Sequence, residues 1–260
     1  MPASSVPLLL LHGVTMSARA WNDVVPLLSP HHEIICPTAL GHRGGSPARQ
    51  RPMRCAHLVD EVERDLDARG LDQVHIAGNS LGGWMAIELA RRGRAVTVCA
   101  LSPAGFWDAT TASHSDATAK ISRQLTLARL GRPFTPLAAR SSLLRRIVLR
   151  DVATRGDRIT PAVLVELTRD LLECTVTADL LSTDEQIALL DPLPCPITLA
   201  WSAHDRILPP AVNGTIAQRR LPAAKYVTLP GVGHVPMIDD PVLVAETILA
   251  TTGRSDKAGQ

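Results

Sequence analysis

The stretch Val74-His75-Ile76-Ala77-Gly78-Asn79-Ser80-Leu81-Gly82-Gly83-Trp84 decides how the rest of this chain is read. Val74–Ala77 is a short run with β-branched residues, the pattern of a buried strand. From Leu81 to Arg92 the residues favour a helix, with apolar Leu81, Trp84, Met85 and Leu89, and Gly93 stands where a helix would end. Gly78-x-Ser80-x-Gly82 lies between the two. A strand that turns straight into a helix leaves its corner residue in a strained, exposed conformation. A Cβ at either glycine would strike the neighbouring strand or helix. Ser80 then presents its hydroxyl at a helix N-terminus, where amides and dipole favour negative charge. The same five residues also fit a tight turn with a capping serine, so partners elsewhere must decide.

Outward from this turn, short apolar runs alternate with helical ones. Strands are expected at Pro7–Leu11, Glu33–Cys36, Val96–Leu101, Ile197–Trp201 and Tyr226–Leu229. Helices are expected at Trp21 to Leu28, around Leu58–Leu66, and over Ala211–Arg219. A last helix begins with Asp240 as cap and Pro241 at its first position, and Gly253 stops it. Such alternation implies βαβ units and a mostly parallel, doubly wound α/β sheet covered on both faces. Between Phe106 and Asp191 the strand signal vanishes and helical periods are broken by Gly131, Pro133, Pro136 and Pro161. Residues 1–105 and 192–252 are therefore read as one core, 106–191 as a helical insertion long enough to be a lid, and 253–260 as a polar, disordered tail. The charges of the insertion balance, so it is not expected to steer charged substrates.

With 45% apolar and 20% charged residues in 260, the chain has ample material for a core. A net charge of +2 and 3% aromatic residues leave few stacking platforms, so nucleic acid is not an expected partner. No membrane partner is expected either, because Val6–Leu11 is far too short to span a bilayer and carries no signal-peptide features. Cys36, Cys55, Cys99, Cys174 and Cys195 are odd in number and lack metal-like spacing, which fits free thiols in a reducing, cytoplasmic compartment. Gly41–Ser46 has neither the lysine nor the spacing of a phosphate-binding loop, so no cofactor and no metal are expected. Oligomeric state leaves no trace in the sequence.

A serine that attacks a carbonyl needs a base, an acid to orient the base, and two amide donors for the oxyanion. His234, in the glycine-flanked loop Pro230-Gly231-Val232-Gly233-His234 after a strand, is the best base. Asp205 follows the strand ending at Trp201, at the sheet edge where Ser80 also lies, and is the candidate acid. Asp239 and Asp240 are rivals by proximity, although a cap role explains Asp240 more simply. The backbone N–H groups of Leu81 and Val14 are the candidate oxyanion donors. His12 is read as a structural residue that holds the Gly13 loop. Phe106 and Trp107, directly after a sheet strand, are placed either at the mouth of a substrate pocket or in the core as anchors of the lid.

Leu11-His12-Gly13, Gly41-His42-Arg43-Gly44-Gly45-Ser46, Gly78-Asn79-Ser80-Leu81-Gly82-Gly83, Asp205 and Gly233-His234 together resemble the α/β-hydrolase superfamily, in its lid-bearing esterase and C–C-bond hydrolase branch. The resemblance runs from Val6 to about Ala250 and keeps the order Ser, Asp, His. It implies a small-molecule acyl substrate cleaved through an acyl-enzyme, most simply a carboxylic ester, with a vinylogous diketone, a thioester or mere ligand reception as alternatives. Serine at the nucleophile position disfavours the epoxide-hydrolase and dehalogenase relatives, which use aspartate. The chain departs from the family in two places. Only Met1–Ser5 precede the first strand, so the usual N-terminal hairpin is expected to be truncated. Cys36-Pro37-Thr38-Ala39-Leu40 also lacks the customary aspartate, which leaves the hydrogen bonding of that loop unaccounted for.

Overall fold

In a computed structural model, which describes residues 6–108 and 113–253, six strands form one sheet. They are β1 (Leu8–Leu11), β2 (Ile34–Ile35), β3 (Val74–Asn79), β4 (Ala95–Leu101), β5 (Ile197–Ser202) and β6 (Lys225–Leu229), in the order β2-β1-β3-β4-β5-β6. Every pairing is parallel. The hairpin question falls on Met1–Ser5, outside the described residues.

β1, β3, β4 and β5 are nearly continuous runs of buried residues, as a sheet covered on both faces requires. Leu9, Ile76, Val98 and Leu199 pack with α2 (Cys55–Ala68) and α3 (Leu81–Arg91). Leu8, Leu10, Ala77 and Ala200 pack on the other face with Trp21, Leu28 and the C-terminal helix α11 (Pro241–Thr252). The chain leaves β1 toward one edge through β2 and returns to build the other edge from β3. That reversal puts the crevice for ligands beyond the C-terminal ends of β1 and β3. Leu11-His12-Gly13 and Asn79-Ser80 emerge there.

The helix expected over Trp21–Leu28 is two pieces, a 3₁₀ turn at Ala18–Trp21 and α1 at Val25–Leu28. Pro26 is the reason: it has no N–H to continue a helix and suits a first turn. The helix expected over Ala211–Arg219 opens as a π turn at Pro210–Gly214 and becomes α9 (Thr215–Arg220). α11 runs as anticipated, with the Asp240 carboxylate accepting from Leu243 N–H at 3.0 Å and Gly253 leaving the helix at φ 80. The short α10 (Pro236–Asp239) precedes it.

Five helices lie between β4 and β5: α4 (Ser113–Gly131), α5 (Thr135–Ala138), α6 (Ser142–Leu149), α7 (Pro161–Glu173) and α8 (Thr177–Leu181). Ala139, Leu149, Ala153, Ile159 and Leu164 give them a small core of their own. A buried polar cluster ties α7 to the body. Asp170 accepts from Ser17 Oγ at 2.6 Å and pairs with Arg43 at 2.8 Å, while Arg43 also reaches Glu166 at 2.8 Å. The 253–260 tail, Gly253 excepted, is outside the described residues. None of the described helices is long and apolar enough to cross a membrane.

Candidate active site

Ser80 caps α3 with φ 56 and ψ −116, a conformation that L-residues rarely adopt. Two packing constraints enforce it. A Cβ on Gly78 would overlap the Gly82 carbonyl, and one on Gly82 would overlap the Leu11 carbonyl of β1. Only glycine lets strand, helix and neighbouring strand approach this closely. The corner is fastened by Ser80 N–H on the Leu101 carbonyl at 3.0 Å and by the Ser80 carbonyl, which accepts from Trp84 and Ala104.

His234 and Asp205 arrive from the loops after β6 and β5. His234 Nδ1 lies 2.7 Å from Asp205 Oδ2, and both side chains are buried. The other oxygen, Oδ1, accepts from Ile207 N–H at 2.9 Å and Leu208 N–H at 2.8 Å. With Oδ1 already holding two donors, Oδ2 is left for Nδ1–H, which leaves Nε2 as the lone-pair nitrogen. Nε2 is the atom a general base requires. Ser80 and His234 line one cavity. Among the described residues no hydrogen bond joins Ser80 Oγ to the imidazole; such contacts are commonly loose without substrate and tighten with it.

Gly13 packs against Ser80: a Cβ built on it would sit 3.4 Å from the Ser80 Cβ. The following residue, Val14, lines the same cavities as Ser80. Among the described residues neither Val14 N–H nor Leu81 N–H has an intramolecular acceptor. An oxyanion hole requires two such free amides.

His12 holds that loop from behind. Its Nδ1 is 2.8 Å from the Gly13 carbonyl, and Nε2 accepts from Ala39 N–H at 3.0 Å. The ring must therefore be neutral with its proton on Nδ1. Burial first, then the neighbouring His42, pull its pKa down to about 3 against the opposing Gly13 hydrogen bond. This contact, with Thr38 Oγ1 accepting from Ala18 N–H at 3.1 Å, supplies the hydrogen bonding that the missing aspartate left open.

Sequence reasoning passed over Asn79 and gave Asp239 no duty beyond that of a rival acid. Asn79 Nδ2 donates to the Leu101 carbonyl at 3.1 Å and to the His234 carbonyl at 2.9 Å, so the residue beside Ser80 also holds the histidine loop. A polar side chain at the buried end of a strand was the available signal. Asp239, a rival for the acid role, does not face the imidazole. Its carboxylate accepts from Gly233 N–H at 2.7 Å, Arg155 N–H at 2.7 Å and Thr154 N–H at 3.0 Å. It stitches the histidine loop to the helical insertion. Val235 N–H reinforces that seam by donating to the Val152 carbonyl at 2.8 Å.

Phe106 is not at the pocket mouth. It is completely buried in the main core against Trp201, with its carbonyl accepting from Asn213 Nδ2 at 2.8 Å. Trp107 does line a cavity. Space flanks Ser80 on two sides, and Val14, Ile121 and Ile207 border both. One chamber, about 50 Å³, is bounded by Trp84, Trp107, Ala117 and Leu180. The other, about 110 Å³, is bounded by Leu149, Leu167, Val235 and Ile238. Their walls are apolar, with Gln124 and Thr118 among the few polar contributors. Among the described residues no group of three or more His, Cys, Asp or Glu is arranged to hold a metal ion.

Comparison with known proteins agrees with this architecture. The sequence profile of the alpha/beta hydrolase family matches residues 8–247. An epoxide hydrolase, EphH, of Mycobacterium tuberculosis is 32% identical over 200 residues, covering 75% of this chain and 94% of its own. A pimeloyl-[acyl-carrier protein] methyl ester esterase of Aromatoleum aromaticum is 27% identical over 241 residues, covering 90% of this chain and 93% of its own. Among solved structures, a thermophilic esterase from Thermogutta terrifontis superposes with a TM-score of 0.73 at 21% identity, covering 95% of this chain and 89% of the other.

Proposed function

The chain belongs to the alpha/beta hydrolase family, and from that premise we propose that it is a serine hydrolase cleaving the carboxylic ester of a small, largely apolar substrate. Hydrolysis of esters or epoxides is the activity its relatives support. The observation that carries the ester reading is the residue at the elbow. Opening an epoxide by a side-chain nucleophile leaves a bond that water must then cleave. A carboxylate nucleophile would leave an ester, which can be hydrolysed, but Ser80 would leave an ether, which cannot. Acyl transfer to Ser80 gives an ester that turns over.

In this reading Ser80 Oγ attacks the carbonyl carbon and passes its proton to His234 Nε2. Asp205 holds the imidazole in the tautomer that leaves Nε2 free and stabilises the imidazolium that forms. Val14 and Leu81 N–H receive the oxyanion. Collapse of the tetrahedral intermediate expels the alcohol, which takes the proton from Nε2, and water repeats the sequence on the acyl-enzyme. The helical insertion, residues 106–191, acts as the lid, and the Trp107 chamber takes the smaller substrate group. The five unpaired cysteines support a reducing compartment.

The test is labelling with a fluorophosphonate probe, with Ser80→Ala as control. Covalent attachment at Ser80 is expected; attachment elsewhere, or none to the folded protein, refutes the assignment.

A further inference from the structure

Over residues 106–191 acidic and basic side chains are equal in number, eleven of each, so the total charge cancels. The two signs are nevertheless segregated. From Lys120 to Arg150 there are eight basic residues and no acidic one. Three have structural duties. Lys120 donates to the Arg206 carbonyl, Arg123 pairs with Asp151 at 2.7 Å, and buried Arg145 donates to the carbonyls of Ala139 and Asp157. The other five, Arg129, Arg132, Arg140, Arg146 and Arg150, are exposed, and among the described residues none is in an ion pair.

The same segment gathers the exposed apolar surface. Of fourteen large apolar side chains exposed among the described residues, eight fall between Leu127 and Val148. On α6, Arg145 and Leu149 point inward, which turns Leu143, Leu144, Ile147 and Val148 outward as i, i+4 pairs, with Arg146 and Arg150 flanking them. On α4, Leu127 and Leu130 are one turn apart beside Arg129. Leu127, Phe134, Ile147 and Val148 converge on one surface groove of about 390 Å³. Leu130, Leu137, Leu143 and Leu144 stand outside it.

A face that pairs exposed aliphatic side chains with unpaired arginines is complementary to acyl chains beneath anionic headgroups. We propose that α4, α5 and α6 form a docking face that lies in the plane of an anionic lipid surface. This revises the expectation of no membrane partner, which rested on the absence of a spanning segment. A second copy of the chain fits poorly, because a two-fold interface would set these arginines against themselves. A rigid acidic protein would fill the groove yet leave the four outlying leucines uncovered. A fluid acyl surface covers both sets. The groove also shares Gln124, Leu149, Leu167 and Leu171 with the Ser80 cavity, which gives an acyl chain a path inward. That path rests on the serine-hydrolase reading, whereas the docking face stands on its own geometry.

The test is co-sedimentation of the Ser80→Ala protein with vesicles of phosphatidylcholine alone or mixed with phosphatidylglycerol, at low and high salt. Because turnover is not read, failure of the hydrolase reading would leave this result untouched. Binding to the anionic vesicles only, weakened by salt, is expected. Arg129→Gln and Arg146→Gln should each weaken it about fivefold. Leu130→Ser and Leu144→Ser should weaken it while leaving the salt dependence intact. These four side chains are exposed, and a thermal melt confirms that each variant is folded. Equal binding to neutral vesicles, indifference to the arginine substitutions, or no vesicle binding alongside a dimer dissociated by Leu144→Ser would overturn the proposal.

Discussion

Acidification should strike this protein first through His12. The imidazole accepts a hydrogen bond at Nε2 from Ala39 N–H and donates from Nδ1 to the Gly13 carbonyl. A second proton would turn the acceptor into a donor facing a donor, on a buried ring. Its folded pKa is about 3 against 6.5 for the free side chain. The folded pKa is depressed and the group is a base, so between these values the unfolded chain binds the extra proton and the folded chain does not. Stability is therefore full above pH 6.5 and falls as pH drops toward 3. From pH 7 to pH 5 the loss from this one residue is about 2 kcal/mol. His75, whose pKa burial and the nearby His32 also lower, adds in the same direction. The clean readout is a difference: urea unfolding at pH 7 and pH 5 for wild type and for His12→Gln. The variant is less stable at neutral pH but should lose about 2 kcal/mol less between the two. An unchanged pH increment in His12→Gln would refute the reasoning.

Asp205→Asn should fold normally and reduce kcat by about 10²–10⁴-fold, whereas Asp240→Asn should barely change it, since Asn caps helices as well as Asp does. Steady-state kinetics on a nitrophenyl ester gives the ranking, and the reverse order would move the acid role to the histidine loop. Asp239→Asn sets an amide N–H against a backbone donor and should cost about 1–3 kcal/mol in urea unfolding; a neutral result would remove Asp239 from the seam. Trp107→Ala should shift the preferred acyl length upward across a nitrophenyl ester series by enlarging the smaller chamber. Indifference of kcat/KM to both chain length and Trp107 would dismiss the apolar-pocket reading.

Much of this was legible because local geometry enforces it. Gly78 and Gly82 are required by contacts within a few residues or with the adjacent strand, and such constraints leave a sequence pattern. The post-strand positions of Asp205 and His234 follow from a parallel sheet whose C-terminal edges all face one way. What escaped was tertiary. Asp239 stands out in the sequence only as a rival acid near His234, and only the fold brings Thr154 and Arg155 to its carboxylate. Phe106 and Trp107 are neighbours in a loop, yet one is sealed in the core and the other lines the cavity, a choice that no periodicity encodes. The charge sum of the insertion was legible, but a sum conceals how the signs are distributed along it.

The link from Asn79 to the His234 carbonyl spans 155 residues, and its partners, the end of β3 and the loop after β6, are laid down early and late in the chain. The four strands β1 through β4, which flank the Ser80 turn, are complete by Leu101, whereas β6 and the histidine loop come more than a hundred residues later. At ~5–20 residues per second, a ribosome needs roughly 7–27 s to pass from one to the other. On the serine-hydrolase reading, the emerging polypeptide holds Ser80 through that interval with no imidazole to activate it. A chain cut short before His234 should share that inertness, so activity on that reading reports that synthesis has passed the histidine loop.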